Sequence, residues 1–326
     1  MGLIDMPNFP DRVHICEEGP REGFQIEPGS ISTAAKIRLI DALSKTGVEH
    51  IQTMSFVDPR RVPGMADATE VLRGIKVKPG IEYSALWFNE RGLRQALDIG
   101  FLSIEGKITL YPSETFLKNN LGRTPEEHRR KLGDLLRKYG AEGIPVRRVS
   151  ISSAFGCNFQ GETPVDVVVR LVGEALEIAD EHDLRIETVG LTDTMAWGTP
   201  ESIKRAVGAV REKYPDMTLS LHLHDTRGMG IANAYAGLQM GVAHFDGSVA
   251  GLGGCPFAKH RGAAGNVCTE DLVFLCHELG IETDIDLDAL IEASLIAEEV
   301  VGHALPGKVA KGGNLAALRS KSGTAH

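Results

Sequence analysis

Residues 221–230 read LHLHDTRGMG, and this stretch decides the fold. Three leucines at alternate positions from 219 to 223 predict a strand with one apolar face, because strand side chains alternate between the two faces. His222 and His224 then share the opposite face. A Gly-broken helix follows directly, so the stretch indicates one βα unit. Polar side chains such as these histidines are uncommon in a strand that only forms core, whereas a metal site requires them.

The same alternation of short β-rich runs and amphipathic segments continues along the chain. The eight predicted strands span 13–18, 50–56, 81–86, 102–108, 146–152, 185–192, 219–224 and 244–250. Eight βα units predict a closed (β/α)8 TIM barrel, which typically needs about 250 residues. An open doubly wound sheet is the alternative.

The chain has no Pro- or Gly-rich linker that would divide it. We therefore expect a single domain over 1–326, with the barrel at 10–283 and a C-terminal helical extension and loosely held tail at 284–326.

The composition excludes several classes of protein. A net charge of −9 and a pI near 5.7 argue against general nucleic-acid binding, which requires clustered Lys and Arg. Five cysteines without a CxxC motif predict a reducing compartment. We see no signal peptide and no apolar run of about 20 residues. The expectation is a cytoplasmic protein with a small-molecule partner, no membrane span, and a dimeric or tetrameric assembly.

A barrel places its chemistry at the carboxyl ends of the strands. Polar residues do follow the predicted strands there, namely Arg21, Glu22, Asp193, His222, His224, Cys255 and Asn266. Two imidazoles on one strand face can bind one divalent ion if a carboxylate and other oxygen ligands join them. Glu22 is the nearest candidate carboxylate, with Glu17 and Glu18 as rivals. A pair of hydrogen-bonded structural histidines is the alternative reading.

Two further groups have chemical possibilities beside such an ion. Arg21 is a fixed cation that can hold a substrate carbonyl and stabilise an enolate, although a surface ion pair with Glu22 is the simpler explanation. The glycine-rich loop at 251–265 lacks the GxGxxG spacing of a dinucleotide site. Cys255 in that loop can donate or accept a proton, unless it is a buried and inert thiol.

Several longer blocks resemble the 3-hydroxy-3-methylglutaryl-CoA (HMG-CoA) lyase family of metal-dependent TIM-barrel enzymes. The resemblance runs from about residue 13 to 283 and is carried by GPREGFQ, SFVDPRRVPGMAD, SETFLKNN, DTMAWGTP, LHLHDTRGMGIAN, GLQMGVAHFDGSVAGLGGCPFAK and GNVCTEDLV. It implies a carbon–carbon lyase that cleaves a 3-hydroxyacyl-CoA by a retro-Claisen reaction to acetyl-CoA and a keto acid.

The resemblance also assigns roles. It implies that Mg²⁺ or Mn²⁺ is bound by Glu22, His222, His224 and Asn266. It implies that Arg21 polarises the thioester carbonyl, that Cys255 takes part in acid–base chemistry, and that His222 or Asp193 removes the hydroxyl proton. Lys118 and Asn120 match positions near the CoA moiety.

The sequence departs from the family pattern close to these positions. The family motif GPRDGLQNE reads GPREGFQIE here, so that the metal carboxylate is Glu22 rather than Asp. Gln52 stands where the family usually has glutamate, and further departures lie at Ile26, Pro28, Gly190, Thr192 and Ala196-Trp197. These changes indicate that the acyl substrate differs. Citramalyl-CoA, a larger 3-hydroxy-3-alkylglutaryl-CoA and a free 2-oxo acid are the alternatives, with an aldolase or Claisen synthase as the second activity and a catalytically weak binding barrel as the third possibility.

Overall fold

The computed structural model describes residues 9–27, 31–254 and 265–322. Its main sheet has eight strands, which follow one another along the chain as β1 (His14–Glu17), β2 (His50–Phe56), β3 (Glu82–Trp87), β4 (Gly106–Leu110), β5 (Val146–Ile151), β6 (Thr188–Thr192), β7 (Thr218–His222) and β8 (His244–Gly247). Every ladder between them is parallel, and the strands are ordered β3-β2-β1-β8-β7-β6-β5-β4. The strands curl into the (β/α)8 TIM barrel that the sequence predicts, and the open doubly wound sheet is excluded.

Helices cover the outside of this barrel. They are α1 (Gly19–Ile26), α2 (Thr33–Leu43), α3 (Ala68–Gly74), α4 (Glu90–Leu97), α5 (Glu114–Leu121), α6 (Pro125–Glu142), α7 (Val165–Asp180), α8 (Pro200–Lys213), α9 (Gly230–Gln239), α10 (Thr269–Glu278), α11 (Leu287–Val301), α12 (Val309–Gly312) and α13 (Leu315–Ser322). Short 3₁₀ turns lie at Pro63–Met65 and Val249–Gly251, and a two-residue antiparallel pair joins Gly156–Cys157 to Gly161–Glu162.

Outward-facing strand side chains form the core against the helices. Ile108, Val149, Val189 and Leu221 come from four successive strands and are fully buried. The alternate positions face the barrel interior, where polar side chains surround a cavity of about 340 Å³. This interior therefore differs from the layers of branched aliphatic residues that commonly fill a TIM barrel.

The barrel wall is weakest between β3 and β4. Among the described residues no ladder joins these two strands, and the hydrogen bond from the amide of Ser103 to the carbonyl of Tyr83, at 2.8 Å, is the nearest equivalent. A second cavity of about 310 Å³ lies here between the strands and α6. The two cavities share lining residues, so that the interior extends sideways through this part of the wall.

Three helices, α6, α7 and α8, begin at a Thr-Pro pair, and in two of them the threonine is the N-cap. Thr124 and Glu127 form a reciprocal capping box at the start of α6, and Thr199 caps α8. Thr163 does not cap α7, because its hydroxyl donates to the carbonyl of Ser153 and Pro164 occupies the N-cap position instead.

The C-terminal segment is held against the barrel at its beginning. The amides of Lys308 and Val309 donate to Oδ1 of Asp271 on α10, at 3.0 and 2.8 Å. The segment predicted to be loosely held thus begins with residues bonded to the barrel; for the rest of it the loose tail stays a prediction, and 323–326 lie outside the described part of the chain. Of the helices that the structure describes, none combines the length and the apolar character that crossing a membrane requires.

Candidate active site

The main cavity lies inside the barrel and opens at the carboxyl ends of the strands. Side chains from all eight strands or from the segments directly after them line it. Its size is at the lower end of the range for small-molecule sites, about 300–1,000 Å³, which suits a short acyl group.

The two histidines of the opening motif converge at the mouth of this cavity. His222 ends β7, and its Nε2 lies 3.1 Å from Nε2 of His224. Two ligands on adjacent positions of one octahedral ion, each at about 2.1 Å, are about 3 Å apart. An isolated β-bridge pairs His224 with Asn266, so that the segment after β8 also lies beside the two histidines.

A buried acidic cluster faces these histidines. Glu18, Glu22 and His222 each bring a potential ligand atom to within 4.8 Å of the others. Glu18 precedes α1 and Glu22 lies in its first turn. Gly253 packs against Glu22 with a φ of +89°, and a Cβ there would come within 2.4 Å of the Glu22 Cβ. A side chain at 253 would therefore displace the carboxylate from the cluster.

The third candidate carboxylate, Glu17, is used in the scaffold. It accepts hydrogen bonds from the amides of Gly19 and Val249, at 2.7 and 2.9 Å, and from the hydroxyl of Thr269 at 2.5 Å. Burial raises the pKa of Glu17 to about 7. These bonds tie β1 to the segment after β8, and of the three candidate carboxylates they leave Glu18 and Glu22 to line the cavity.

A carboxylate fixes the tautomer of His222. Oδ2 of Asp246 on β8 lies 3.1 Å from Nδ1 of His222, and Oε2 of Glu18 lies 3.3 Å away. An ionised carboxylate can only accept, so Nδ1 carries a proton and Nε2 is the nitrogen that faces the cluster. Burial opposes the charged form, but the bonds to Asp246 and Glu18 raise the pKa of His222 to about 9, so that a cation binding at Nε2 would release a proton.

Two buried polar atoms near the cluster lack a partner in the described chain. They are Nδ1 of His224 and Oδ1 of Asn266. The amide nitrogen of Asn266 is already committed, since it donates to the carbonyl of Leu252 at 3.1 Å. An unpaired buried amide oxygen is costly, and a divalent cation is a partner that would satisfy it. The residues present therefore fit a metal ion.

Arg21 is held in place from three sides. Its guanidinium donates to Oε2 of Glu18 at 2.6 Å, donates through Nε to Gln52 on β2, and forms an ion pair with Glu22. Burial opposes the ionisation of Glu18, but Arg21 holds the pKa of Glu18 well below its usual range. Gln52, one of the departures from the family pattern, thus orients the arginine.

Other predicted site residues lie farther from the cluster. Asp193 is fully buried and does not line the cavity; its Oδ1 accepts from the amides of Trp197 and Gly198, at 2.8 and 2.9 Å, and its Oδ2 is unpaired. Burial raises the pKa of Asp193 to about 6. Asn120 lines the cavity, whereas Lys118 is exposed on α5 and does not. Cys255 lies outside the described residues.

Sequence reasoning missed several residues of the cavity. Asp246, Lys107 and Arg148 all line it, from three different strands. Their signal was present as strand parity, because each alternates with a buried apolar neighbour that faces the helices: Phe245, Ile108 and Val149.

Comparison with known proteins decides the family. A family model described as HMGL-like matches residues 12–296. The chain belongs to the HMGL-like family. It is 40% identical over 284 residues to the mitochondrial hydroxymethylglutaryl-CoA lyase of Gallus gallus, covering 87% of this chain and 92% of that one.

Solved structures agree with this HMGL-like assignment. The hydroxymethylglutaryl-CoA lyase of Pseudomonas aeruginosa superposes with a TM-score of 0.84 at 37% identity, covering 96% of this chain and 99% of that chain. An HMG-CoA lyase from Acinetobacter baumannii, in complex with coenzyme A and 3-methylmalate, has a TM-score of 0.82 at 36% identity, with 95% and 97% covered. The resemblance found in the sequence is confirmed.

The contact between Asp246 and His222 makes a prediction for this HMGL-like protein. Asp246→Asn is expected to weaken Mn²⁺ binding about 10- to 100-fold, because an amide is a poorer acceptor for the Nδ1–H that orients the ring. Titration followed by electron paramagnetic resonance measures the Kd. Glu105→Gln is the matched control, since Glu105 lines the cavity without bonding to His222. Equal affinities for wild type and Asp246→Asn would remove Asp246 from the site.

Proposed function

We propose that this protein is a divalent-metal-dependent carbon–carbon lyase that cleaves a 3-hydroxyacyl-CoA of the HMG-CoA type to acetyl-CoA and a keto acid. The observation that carries the proposal is that Glu18, Glu22 and His222 bring ligand atoms within 4.8 Å of one another beside Arg21, with the ring of His224 against that of His222. Similar proteins from Gallus gallus and Pseudomonas aeruginosa, which bear the name hydroxymethylglutaryl-CoA lyase, support the proposal.

The chain offers a mixed nitrogen and oxygen ligand set. Glu22, His222, His224 and Asn266 would hold Mg²⁺ or Mn²⁺, ions that accept carboxylate, amide and imidazole ligands. Glu18 is a further oxygen at the same place. When bound, the ion would favour ionisation of the substrate hydroxyl and fix its position beside the acyl carboxylate.

Arg21 would supply the main electrostatic contribution of the chain. Cleavage turns the thioester carbonyl into an enolate, so negative charge develops on its oxygen. A guanidinium held by Glu18, Gln52 and Glu22 needs little reorganisation to meet that charge. Because Arg21 lines the cavity, the carbonyl can reach it.

Proton transfer would begin on the same side of the cavity. Of the two candidate bases, His222 lines the cavity and Asp193 does not, which supports His222 and the carboxylates bonded to it as the acceptor system. The proton would be held by Glu18 or Asp246, the two carboxylates beside Nδ1 of His222. Cys255 would return a proton to the enolate carbon, and Asn120 and Lys118 would contact CoA, as the family resemblance implies.

The test is the release of acetyl-CoA. Protein loaded with Mg²⁺ or Mn²⁺ should convert HMG-CoA into acetyl-CoA and acetoacetate, both quantified by chromatography. Chelation by EDTA should stop the reaction, and added metal should restore it. Metal-loaded protein that releases no acetyl-CoA from HMG-CoA or from related hydroxyacyl thioesters would contradict the proposal. Activity on free 2-oxo acids instead would favour the aldolase.

A further inference from the structure

A lysine that the lyase chemistry does not use faces the cavity from the wall opposite the acidic cluster. Lys107 lies on β4, and its neighbour Ile108 is fully buried on the outer face, so that Lys107 points into the barrel. It lines both the main and the side cavity. In the described chain no hydrogen-bond acceptor or carboxylate is within bonding distance of its ammonium group.

A second cation stands beside it. Lys107 and Arg148 are register partners on β4 and β5, and both line the main cavity. Like charges at paired positions of neighbouring strands repel each other. Lys107 stays exposed to solvent in the lumen, but desolvation by the surrounding barrel lowers its pKa, with Glu18 opposing the shift and Arg148 adding to it. The pair is thus stabilised by any anion that comes between the two groups.

Burial opposes the charge of Arg148, but Asp246 and Glu105 outweigh it and raise the pKa of this residue, whereas no carboxylate of the described residues pairs directly with Lys107. Glu18 and Glu22 are paired with Arg21, and Asp246 is bonded to His222. Glu82 and Glu105 also line the cavity, but neither forms an ion pair with Lys107 or Arg148 within 4 Å. The acidic cluster and the cation pair therefore face each other across the lumen.

The cation pair and the acidic cluster lie on different walls of one cavity. The cluster comes from β1, β7 and β8, whereas the cations come from β4 and β5 on the other side of the strand order. Both groups line the same cavity of about 340 Å³, at the lower end of the range for small-molecule sites, so one ligand in it can contact both walls.

We propose that Lys107, with Arg148 beside it, binds a second carboxylate of the acyl group, in addition to the one held at the metal cluster. The inference rests on the proposed lyase function and names its substrate class: 3-hydroxyacyl-CoA thioesters with two free carboxylates, such as 3-carboxy-3-hydroxyglutaryl-CoA. In this substrate a carboxylate replaces the methyl group of HMG-CoA.

The reaction balances as for HMG-CoA. The bond between C2 and C3 breaks, and its electron pair forms the enolate of acetyl-CoA. The hydroxyl oxygen becomes the ketone oxygen and loses its proton, while C2 gains one proton. The products are acetyl-CoA and an oxo dicarboxylate, and no oxidant or reductant takes part.

Kinetics on the two thioesters test the inference. Wild-type protein should have the higher kcat/KM with 3-carboxy-3-hydroxyglutaryl-CoA. In Lys107→Met this preference should fall roughly 10- to 100-fold, mainly through KM, because one charge-assisted hydrogen bond is lost. Lys107→Arg should retain most of it, and Lys45→Met, an exposed lysine outside both cavities, is the matched control.

Binding gives a readout that does not depend on turnover. Calorimetry with the Mg²⁺-loaded protein compares tricarballylate with 3-methylglutarate, which lacks the extra carboxylate. The loss of affinity caused by Lys107→Met should be about 10-fold larger for tricarballylate than for 3-methylglutarate. Equal losses for the two compounds, or an unchanged kinetic preference in Lys107→Met, would overturn the inference while leaving the lyase function intact. If neither thioester is cleaved but tricarballylate binding depends on Lys107, the lyase proposal fails and the anion site stands.

Discussion

Arg21→Met is expected to lower kcat by about 10²- to 10³-fold while the protein still binds one divalent ion. The loss is that of a preorganised donor for the developing enolate, and effects of this size follow the removal of one such donor. Metal binding should persist, because Glu18 is released from its bond with Arg21 and remains beside Glu22 and His222. The measurements are acetyl-CoA release under saturating substrate and metal content by elemental analysis.

The control for this variant is Arg21→Lys. It keeps the positive charge next to Glu18 and Glu22 but loses the planar fork that also reaches Gln52, so its kcat should lie between wild type and Arg21→Met. Breaking a buried ion pair can cost about 3–5 kcal/mol, and thermal unfolding therefore has to show that both variants are folded. A folded Arg21→Met protein with the wild-type rate would exclude Arg21 from the mechanism.

The order of strands and helices could be predicted from the sequence, but not every position. β4 was expected over 102–108 and spans Gly106–Leu110. The alternation that suggested an earlier start is real, since Leu102 is buried and Ile104 packs against the core. Residues 102–105, however, pass beside β3 with a single hydrogen bond and form no ladder. The alternation of apolar residues therefore predicts which side chains are buried, but not whether the segment pairs with a neighbouring strand.

The segment after β1 shows the opposite kind of error. GPREGFQI contains two glycines and a proline, a composition of low helix propensity, yet it forms α1. Tertiary packing overrides the low helix propensity of this segment. Phe24 is fully buried, and Leu252 packs so closely on Gly23 that a Cβ at position 23 would lie 3.0 Å from it. This helix places Arg21 and Glu22, so the site depends on an element that local sequence signals do not predict.

The sequence predicts which strand side chains face the barrel interior, because side chains alternate along a strand, and it predicts the candidate site only to that extent. Parity places His222 and His224 on the interior face, and their rings meet there. It cannot give the register that sets Asp246 opposite His222 or Lys107 opposite Arg148, because register depends on how neighbouring strands slide in the closed barrel. The functions expected for Lys118, Asn120, Asp193 and Cys255 stay predictions; of the three that the structure describes, Asn120 lines the cavity and Lys118 and Asp193 do not.

His224→Ala is expected to remove bound metal and turnover together. Burial, with His222 adding to it, lowers the pKa of His224 to about 3, so this imidazole is neutral near pH 7 and its lone pair is free for an ion. Its ring also fixes the ligand pair, because its Nε2 lies against that of His222. Losing a ligand should weaken Mn²⁺ binding by more than the roughly 10- to 100-fold typical of residues that only orient one.

The comparison that decides this prediction uses a histidine of the same barrel. His14 begins β1 at the far end of the strands, stacks on His244 with ring centroids 4.9 Å apart, and bonds to Glu49. His14→Ala should bind Mn²⁺ and cleave substrate as wild type does, whereas His224→Ala should do neither. His224→Gln refills most of the volume, so it separates ligand loss from a packing defect. A folded His224→Ala protein with a full complement of metal would mean that the ion, if one binds, is held elsewhere in the cavity, and the proposed ligand set would have to be abandoned.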